Sequence, residues 1–350
     1  VPSEEEATAI FGAPIYKRGI QPVWLEIQNE TGEKLRFAPS SLDREYFAPM
    51  EVAYMHKKGY TKEAFAKMEM RFYRSTMPRQ IPDGESRSGY VFTHARPGTK
   101  SFNVDLYGNE SDFNFAFFVT VPGFVPDHQD VNFKSLYGQD EIEHYDLPGL
   151  REALENKNLI TTSKDGKGGL PINVIAVGIG LDVLKALLRA GWYEQPSNRE
   201  MVDDSTAYYM FGRLPDATFG IQRSNKSERN ELYLWQSPLR VEGDIVWMGH
   251  VAHFIGQRTQ IEQVLFGART DPDIDEGRDY FMQNMWYSQA LEKLAWLQVN
   301  EHSSFNEVRT DFTETEYFSD GYVSIAWLSG DPVSLIETTA IEWDIPPNKK

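Results

Sequence analysis

The chain contains no cysteine. Disulfides, thiolate nucleophiles, zinc–thiolate sites and iron–sulfur clusters are therefore excluded. The absence fits an oxidising compartment, where stray thiols are a liability. Long apolar runs are missing too: the most apolar stretch, Ile172–Leu181, is about half of what a membrane-spanning helix needs. Positive charge is scarce. Lys and Arg number 35 against 52 Asp and Glu, for a net charge of −17. Such a chain repels nucleic-acid phosphate and anionic membrane surfaces unless a local basic patch intervenes. The basic residues are scattered along the sequence, and the terminal Lys349-Lys350 pair is too short to form one. No nucleic-acid partner is expected.

Several catalytic templates are also lacking. There is no Gly-x-Ser-x-Gly elbow and no phosphate-binding Gly-Lys-Ser/Thr loop, so nucleophilic and nucleotide chemistry find no match. Gly178-x-Gly180 follows an apolar strand. It has neither the third glycine nor the acidic residue that a dinucleotide site requires, and reads as a tight strand-to-helix turn. No cofactor is expected.

What the chain does have is material for packed cores: 41% hydrophobic and 13% aromatic residues over 350 positions. That length favours two domains. The chain begins at Val1 rather than Met, which reads as processing, with any signal or lipid-anchor segment preceding it. Gln21–Asn29 alternates apolar and polar residues, and Lys34–Ala38 returns after the turn Asn29-Glu30-Thr31-Gly32, predicting a hairpin. Lys62–Ser75 is an amphipathic helix with Thr61 as N-cap. Strands are expected at Tyr90–Ala95, Ser101–Tyr107 and Phe113–Val121, and a short helix at Leu147–Glu155. Pro171–Val177 reads as a buried strand and Leu181–Ala190 as an amphipathic helix. Further strands are expected at Tyr208–Gly212, Thr218–Arg223, Glu231–Gln236, Ile245–Phe254, Tyr322–Leu328 and Leu335–Trp343. Between them, Gly267–Leu297 predicts one long helix. The expected fold class is α+β: a β-sandwich-like N-terminal domain with a helical insertion over 15–145, a linker region over 146–170, and a mixed α/β C-terminal domain over 171–345.

Four groups of residues are candidates for chemistry. Asp271, Asp273, Asp275, Glu276 and Asp279 crowd the start of the long helix. They fail the EF-hand test, because Glu276 stands where glycine is required and Met282 where the bidentate glutamate belongs. The alternative is helix initiation, with Asp271 as N-cap and Pro272 at the first helical position. Arg213, Asp216, Arg223, Arg229 and Trp235, with Trp247 nearby, could cradle an anionic or sugar-like ligand. Equally, Arg213 and Asp216 could pair to brace a turn. His250 and His253 lie three apart on a strand and so face opposite ways. Asp127-His128-Gln129-Asp130, with His144 and Asp146, offers carboxylate and imidazole groups of the kind that bind zinc or manganese, against the reading of a solvated loop.

The motifs Pro171-Ile172-Asn173-Val174, Ala190-Gly191-Trp192, Phe211-Gly212-Arg213-Leu214-Pro215-Asp216, Leu232-Tyr233-Leu234-Trp235, Val246-Trp247-Met248-Gly249 and Asp271-Pro272-Asp273-Ile274-Asp275 resemble, in order and spacing, the LssY C-terminal domain family over roughly 170 to 345. The resemblance implies a bacterial cell-envelope protein, often lipoprotein-like, located in the periplasm or anchored to the membrane by lipid, and working on an envelope protein, lipid or glycan. Arg213, Asp216, Trp235, Trp247, Asp271, Asp273 and Asp275 match the family pattern. Where relatives commonly carry histidine, this chain has Glu231 and Ala268-Arg269.

Two functions follow as expectations. One is a non-catalytic binding or assembly module acting through the C-terminal domain, with Arg213, Asp216, Trp235, Trp247, His250, Asp273 and Asp275 as binding residues. The other is a metal-assisted hydrolase of a phosphorylated or glycosidic envelope component, using Asp271, Asp273 and His250.

Overall fold

The computed structural model describes residues 1–96, 98–121, 124–196, 202–222, 228–255 and 269–346. The chain forms two compact units, Val1–Phe124 and Val125–Lys350, and is α+β. Arg223, Gly267 and Ala268, which the sequence reading singled out, lie outside the described residues.

The first unit runs α1 (Glu4–Phe11), β1 (Ile20–Gln28), β2 (Leu35–Ala38), α2 (Pro49–Met55), α3 (Lys62–Ser75), β3 (Gln80–Ile81), β4 (Ser86–His94), β5 (Thr99–Tyr107) and β6 (Asp112–Thr120). Its strands form a two-stranded sheet, β1–β4, and a four-stranded sheet, β3–β2–β5–β6. Val23, Leu25 and Val91 of the first meet Phe37, Phe102, Val104 and Leu106 of the second in one core, as in a sandwich. A second core packs Phe11, Val52, Ala53, Met68 and Phe72 of the three helices on Ile20 and Phe92. The expected β1–β2 hairpin does not form. β1 pairs with β4, and β2 with β3 and β5. Asn29, between them, donates its side-chain amide to Glu33 O and Ile81 O and its backbone N–H to Glu85 O. That anchors the crossing from one sheet to the other.

The second unit continues β7 (Glu143–Tyr145), α4 (Leu147–Glu155), β8 (Ile160–Thr162), β9 (Gly168–Pro171), β10 (Val174–Val177), α5 (Gly180–Arg189), β11 (Tyr193–Glu194), β12 (Ala217–Gln222), β13 (Arg229–Val241), β14 (Asp244–Ile255), β15 (Arg269–Thr270), α6 (Ile274–Tyr287), β16 (Leu291–Gln298), β17 (Arg309–Thr310), β18 (Glu316–Tyr317), β19 (Tyr322–Leu328) and β20 (Thr339–Ala340). One mixed sheet, in the order β11–β12–β13–β14–β10–β19–β16–β20, organises it. Side chains alternate between its faces. α5 and α6 cover Val174, Ala176, Leu232, Leu234, Trp247 and Ala326 on one face. α4 and neighbouring loops cover Ile175, Val177, Trp235, Met248, Ile325 and Trp327 on the other.

Further expectations need correction. The unit boundary lies at Phe124/Val125, and 146–170 is no linker: Leu150, Leu154 and Leu159 sit in the second unit's core. The long helix is two elements, α6 and β16. Gln289, in the left-handed region, stops the helix as its N–H bonds to Trp286 O and that of Ala290 to Met285 O, after which β16 pairs with β19. Tyr208–Gly212 is no strand: Tyr209 makes a single bridge to Thr162 and Phe211–Gly212 form a turn, and of Leu335–Trp343 only β20 is strand. The helix cap is Asp273, not Asp271; Asp273 accepts from Asp275 N, while Asp271 accepts from Asp273 N.

Candidate functional site

The turn Phe211–Gly212 sets the first group in place. Both residues have positive φ, and Met210 and Arg213 exchange two backbone hydrogen bonds across them, the geometry of a two-residue primed turn. Glycine adopts it freely; Phe211 does so at a cost of about 1 kcal/mol. The turn carries the Arg213 guanidinium back onto Asp216, with Nε–Oδ1 and Nη2–Oδ2 both 2.9 Å. Asp216 is almost wholly buried. Its second oxygen also accepts from Gln236 N at 2.7 Å, and Arg213 Nη2 donates to Gln236 O at 2.6 Å. The Tyr137 hydroxyl donates to the same carbonyl at 2.7 Å, and Trp235 Nε1 donates to Arg213 O at 3.1 Å. The β13–β14 register shifts after Gln236, and the Arg213–Asp216 pair satisfies the backbone there. The pair is a brace.

Gln236 and Trp247 are opposed across β13 and β14. Both line a cavity of about 380 Å³ between the sheet and α5, together with Phe133, Leu184, Phe219 and His128. Trp247 fixes its ring by donating from Nε1 to Gly178 O at 3.0 Å and meets Phe133 edge-on. Gly178 has φ +151 and lies close to Leu328 O, the tight strand-to-helix turn expected of it. At the polar side of the cavity His128 Nε2 lies 2.7 Å from Oε1 of the buried Glu194. The wall is apolar, with His128 and Gln236 as polar points. This is the usual composition of a small-molecule pocket.

A second cavity, about 340 Å³, is lined by Asp127, Gln195, Tyr208, Thr218, Glu231 and Tyr233, among others. The strand residues lining it alternate with those facing the first cavity: Thr218 against Ala217 and Phe219, Tyr233 against Leu234. The two cavities therefore lie on opposite faces of β12–β13. Glu231 accepts from Arg229 Nε and the Tyr233 hydroxyl. Tyr208 donates to Asp311 at 2.6 Å, and burial together with that carboxylate pushes its hydroxyl pKa up.

The remaining candidates are dispersed. Trp235 is fully buried on the face opposite Trp247. His250 is buried, its Nδ1 2.8 Å from Pro171 O, and burial pushes its pKa down to about 4. His253 pairs instead with Asn230 Oδ1. Asp273 caps α6. Asp275 turns inward and accepts from the Ser319 hydroxyl and from Asp320 N, each at 2.8 Å. Beside it lies Arg278, fully buried, which also bonds Asp279, Asp320 and Tyr322 O. Burial opposes the Arg278 charge, but its Asp320 hydrogen bonds and the neighbouring carboxylates raise its pKa above the ordinary arginine value. For Asp275 burial outweighs Arg278 and the pKa rises. Among the described residues no three His, Asp or Glu side chains are grouped as a cation site requires. His144 is exposed, and Asp146 caps α4.

Sequence reasoning missed Arg278 and the Trp247 cavity. Arg278 had a signal: Ile274, Arg278, Phe281 and Met285 share the i, i+4, i+7 spacing of a buried helical stripe. The cavity had none, because its walls come from segments far apart in the chain.

The family model of the LssY C-terminus matches residues 205–323. This segment carries β12–β16 and α6, and with them Arg213, Asp216, Trp235, Trp247, His250, Asp273 and Asp275. The second unit thus contains an LssY C-terminal domain. No curated protein and no solved structure matches the chain. Among the described residues no helix is long and apolar enough to cross a membrane.

Proposed function

We propose that this chain is a binding module of the bacterial cell envelope, and that its second unit takes up the apolar part of an envelope lipid beside Trp247. The observation that carries this reading is the cavity of about 380 Å³ lined by Trp247, Phe133, Leu184 and Phe219, with His128 and Gln236 as polar points. Apolar walls favour a hydrocarbon segment by removing it from water. The two polar side chains orient the headgroup end. The Arg213–Asp216 pair serves indirectly, by fixing the Gln236 backbone at the cavity.

The test is native mass spectrometry of the protein after incubation with a bacterial lipid extract, followed by washing. A retained lipid is expected. Leu184→Trp, which fills the cavity, should abolish retention, while Arg151→Ala, on α4, should not. Equal retention by wild type and Leu184→Trp would refute the reading.

A further inference from the structure

The first unit carries a feature that runs against the charge of the whole chain. From Pro49 to Thr76, six basic residues (Lys57, Lys58, Lys62, Lys67, Arg71 and Arg74) stand against three acids, Glu51, Glu63 and Glu69. This surplus of three positive charges sits in a chain of net −17. It is exposed: all six basic residues are at the surface. Among the described residues none of the six forms an ion pair with a carboxylate.

α2 and α3 bury Val52, Ala53, Met68 and Phe72, so their opposite faces point outward. Those faces are amphiphilic. Tyr54 and Tyr73 are 66% and 67% exposed, with Met50, Tyr60 and Met70 also at the surface. The Lys57 ammonium lies over the rings of Tyr54 and Phe65, at 5.4 and 5.7 Å. The adjoining α1 brings Glu4, Glu5 and Glu6, of which Lys17 and Arg18 in the turn that follows offset two charges, so the surplus over these helices stays positive.

We propose that this helical face docks the protein on an anionic lipid bilayer. Exposed tyrosine and methionine beside lysine suit the boundary between headgroups and acyl chains, where an amphipathic ring has both its environments and lysine reaches back to phosphate. The positive surplus supplies attraction to an anionic leaflet. Polyanions that surround their partner fit less well, since the remainder of the chain is strongly acidic and repels them. The helical face belongs to the first unit and the Trp247 cavity to the second, and the proposal stands whether or not that cavity holds a lipid.

The experiment is sedimentation of the full chain with vesicles, either half phosphatidylglycerol and half phosphatidylcholine or phosphatidylcholine alone. Binding to the anionic vesicles is expected to be at least roughly tenfold tighter, and to weaken steeply between ~0.05 and ~0.5 M salt. Lys57→Glu/Lys58→Glu, in the exposed α2–α3 connection, should remove most of it without changing the melting curve. Tyr54→Ser/Tyr73→Ser should weaken it several-fold at unchanged charge. Leu184→Trp should bind vesicles as wild type does. Equal binding to both vesicle types would overturn the proposal, as would full binding by the folded charge-reversed variant. So would complete displacement by an oligonucleotide at equal phosphate concentration, which would mark a general polyanion site.

Discussion

Arg278 and Asp320 meet end to end, with Nη1–Oδ1 at 2.7 Å and Nη2–Oδ2 at 3.0 Å. This joins α6 to the segment before β19. The bidentate geometry uses both planar groups fully. Arg278 Nη1 also approaches Asp275 at 3.4 Å and its Nε donates to Asp279 at 2.8 Å, so one buried cation serves three carboxylates, two from α6 and one from the segment before β19.

Removing that cation strands the buried charges. Arg278→Met should destabilise the second unit by about 4 kcal/mol, read as a lower urea midpoint. Asp275→Asn should cost about 1 kcal/mol, because its carbonyl oxygen can still accept from Ser319 or Asp320 N. Equal losses for the two variants would contradict this account.

His250 makes stability pH-dependent. Burial lowers its folded pKa to about 4, below the unfolded value near 6.5. The folded state therefore binds fewer protons than the unfolded state, so stability is full above the unfolded pKa and falls as pH drops towards 4. The loss amounts to about 3 kcal/mol over that window. Denaturant titrations at successive pH values should show it, and His250→Asn should flatten this part of the profile.

The Arg213–Asp216 brace is the third target. Asp216 is buried but Arg213 keeps some contact with solvent, which softens the penalty of breaking the pair. Asp216→Asn should cost about 2 kcal/mol and loosen Gln236, lowering lipid retention at the Trp247 cavity. Unchanged stability would show that the pair braces nothing.

Asp271 and Asp273 accept backbone N–H groups at the start of α6, and His250 points from the sheet face opposite the one α6 covers. Melting with EDTA and then with calcium, manganese or zinc should shift the midpoint by less than ~1 °C. A larger rise with one ion, together with that ion in elemental analysis, would restore the metal-assisted hydrolase.

Elements with a strong period of their own were legible. α3 and α4 form over the residues their patterns predicted, and β5, β6, β12 and β14 lie within two residues of theirs. The segment after α6 was not. Leu291, Leu294 and Leu297 fit helical spacing, while Leu291, Ala295 and Leu297 are the residues buried in β16. The helix stops at Gln289, a position with no glycine or proline to mark it.

By itself the sequence determined the α+β class, the absence of thiol chemistry and the amphipathic faces, since composition and period are local properties that need no partner. It also carried the LssY C-terminal motifs. Only the tertiary structure decided that β1 and β2 join different sheets, that Arg278 and Asp275 are spent on a buried network, and that Trp247 borders a cavity. These depend on which distant segments exclude water from one another. It also left the basic residues of α3 and of the α2–α3 connection in solvent, because helix packing fixes which side of α2 and α3 is buried.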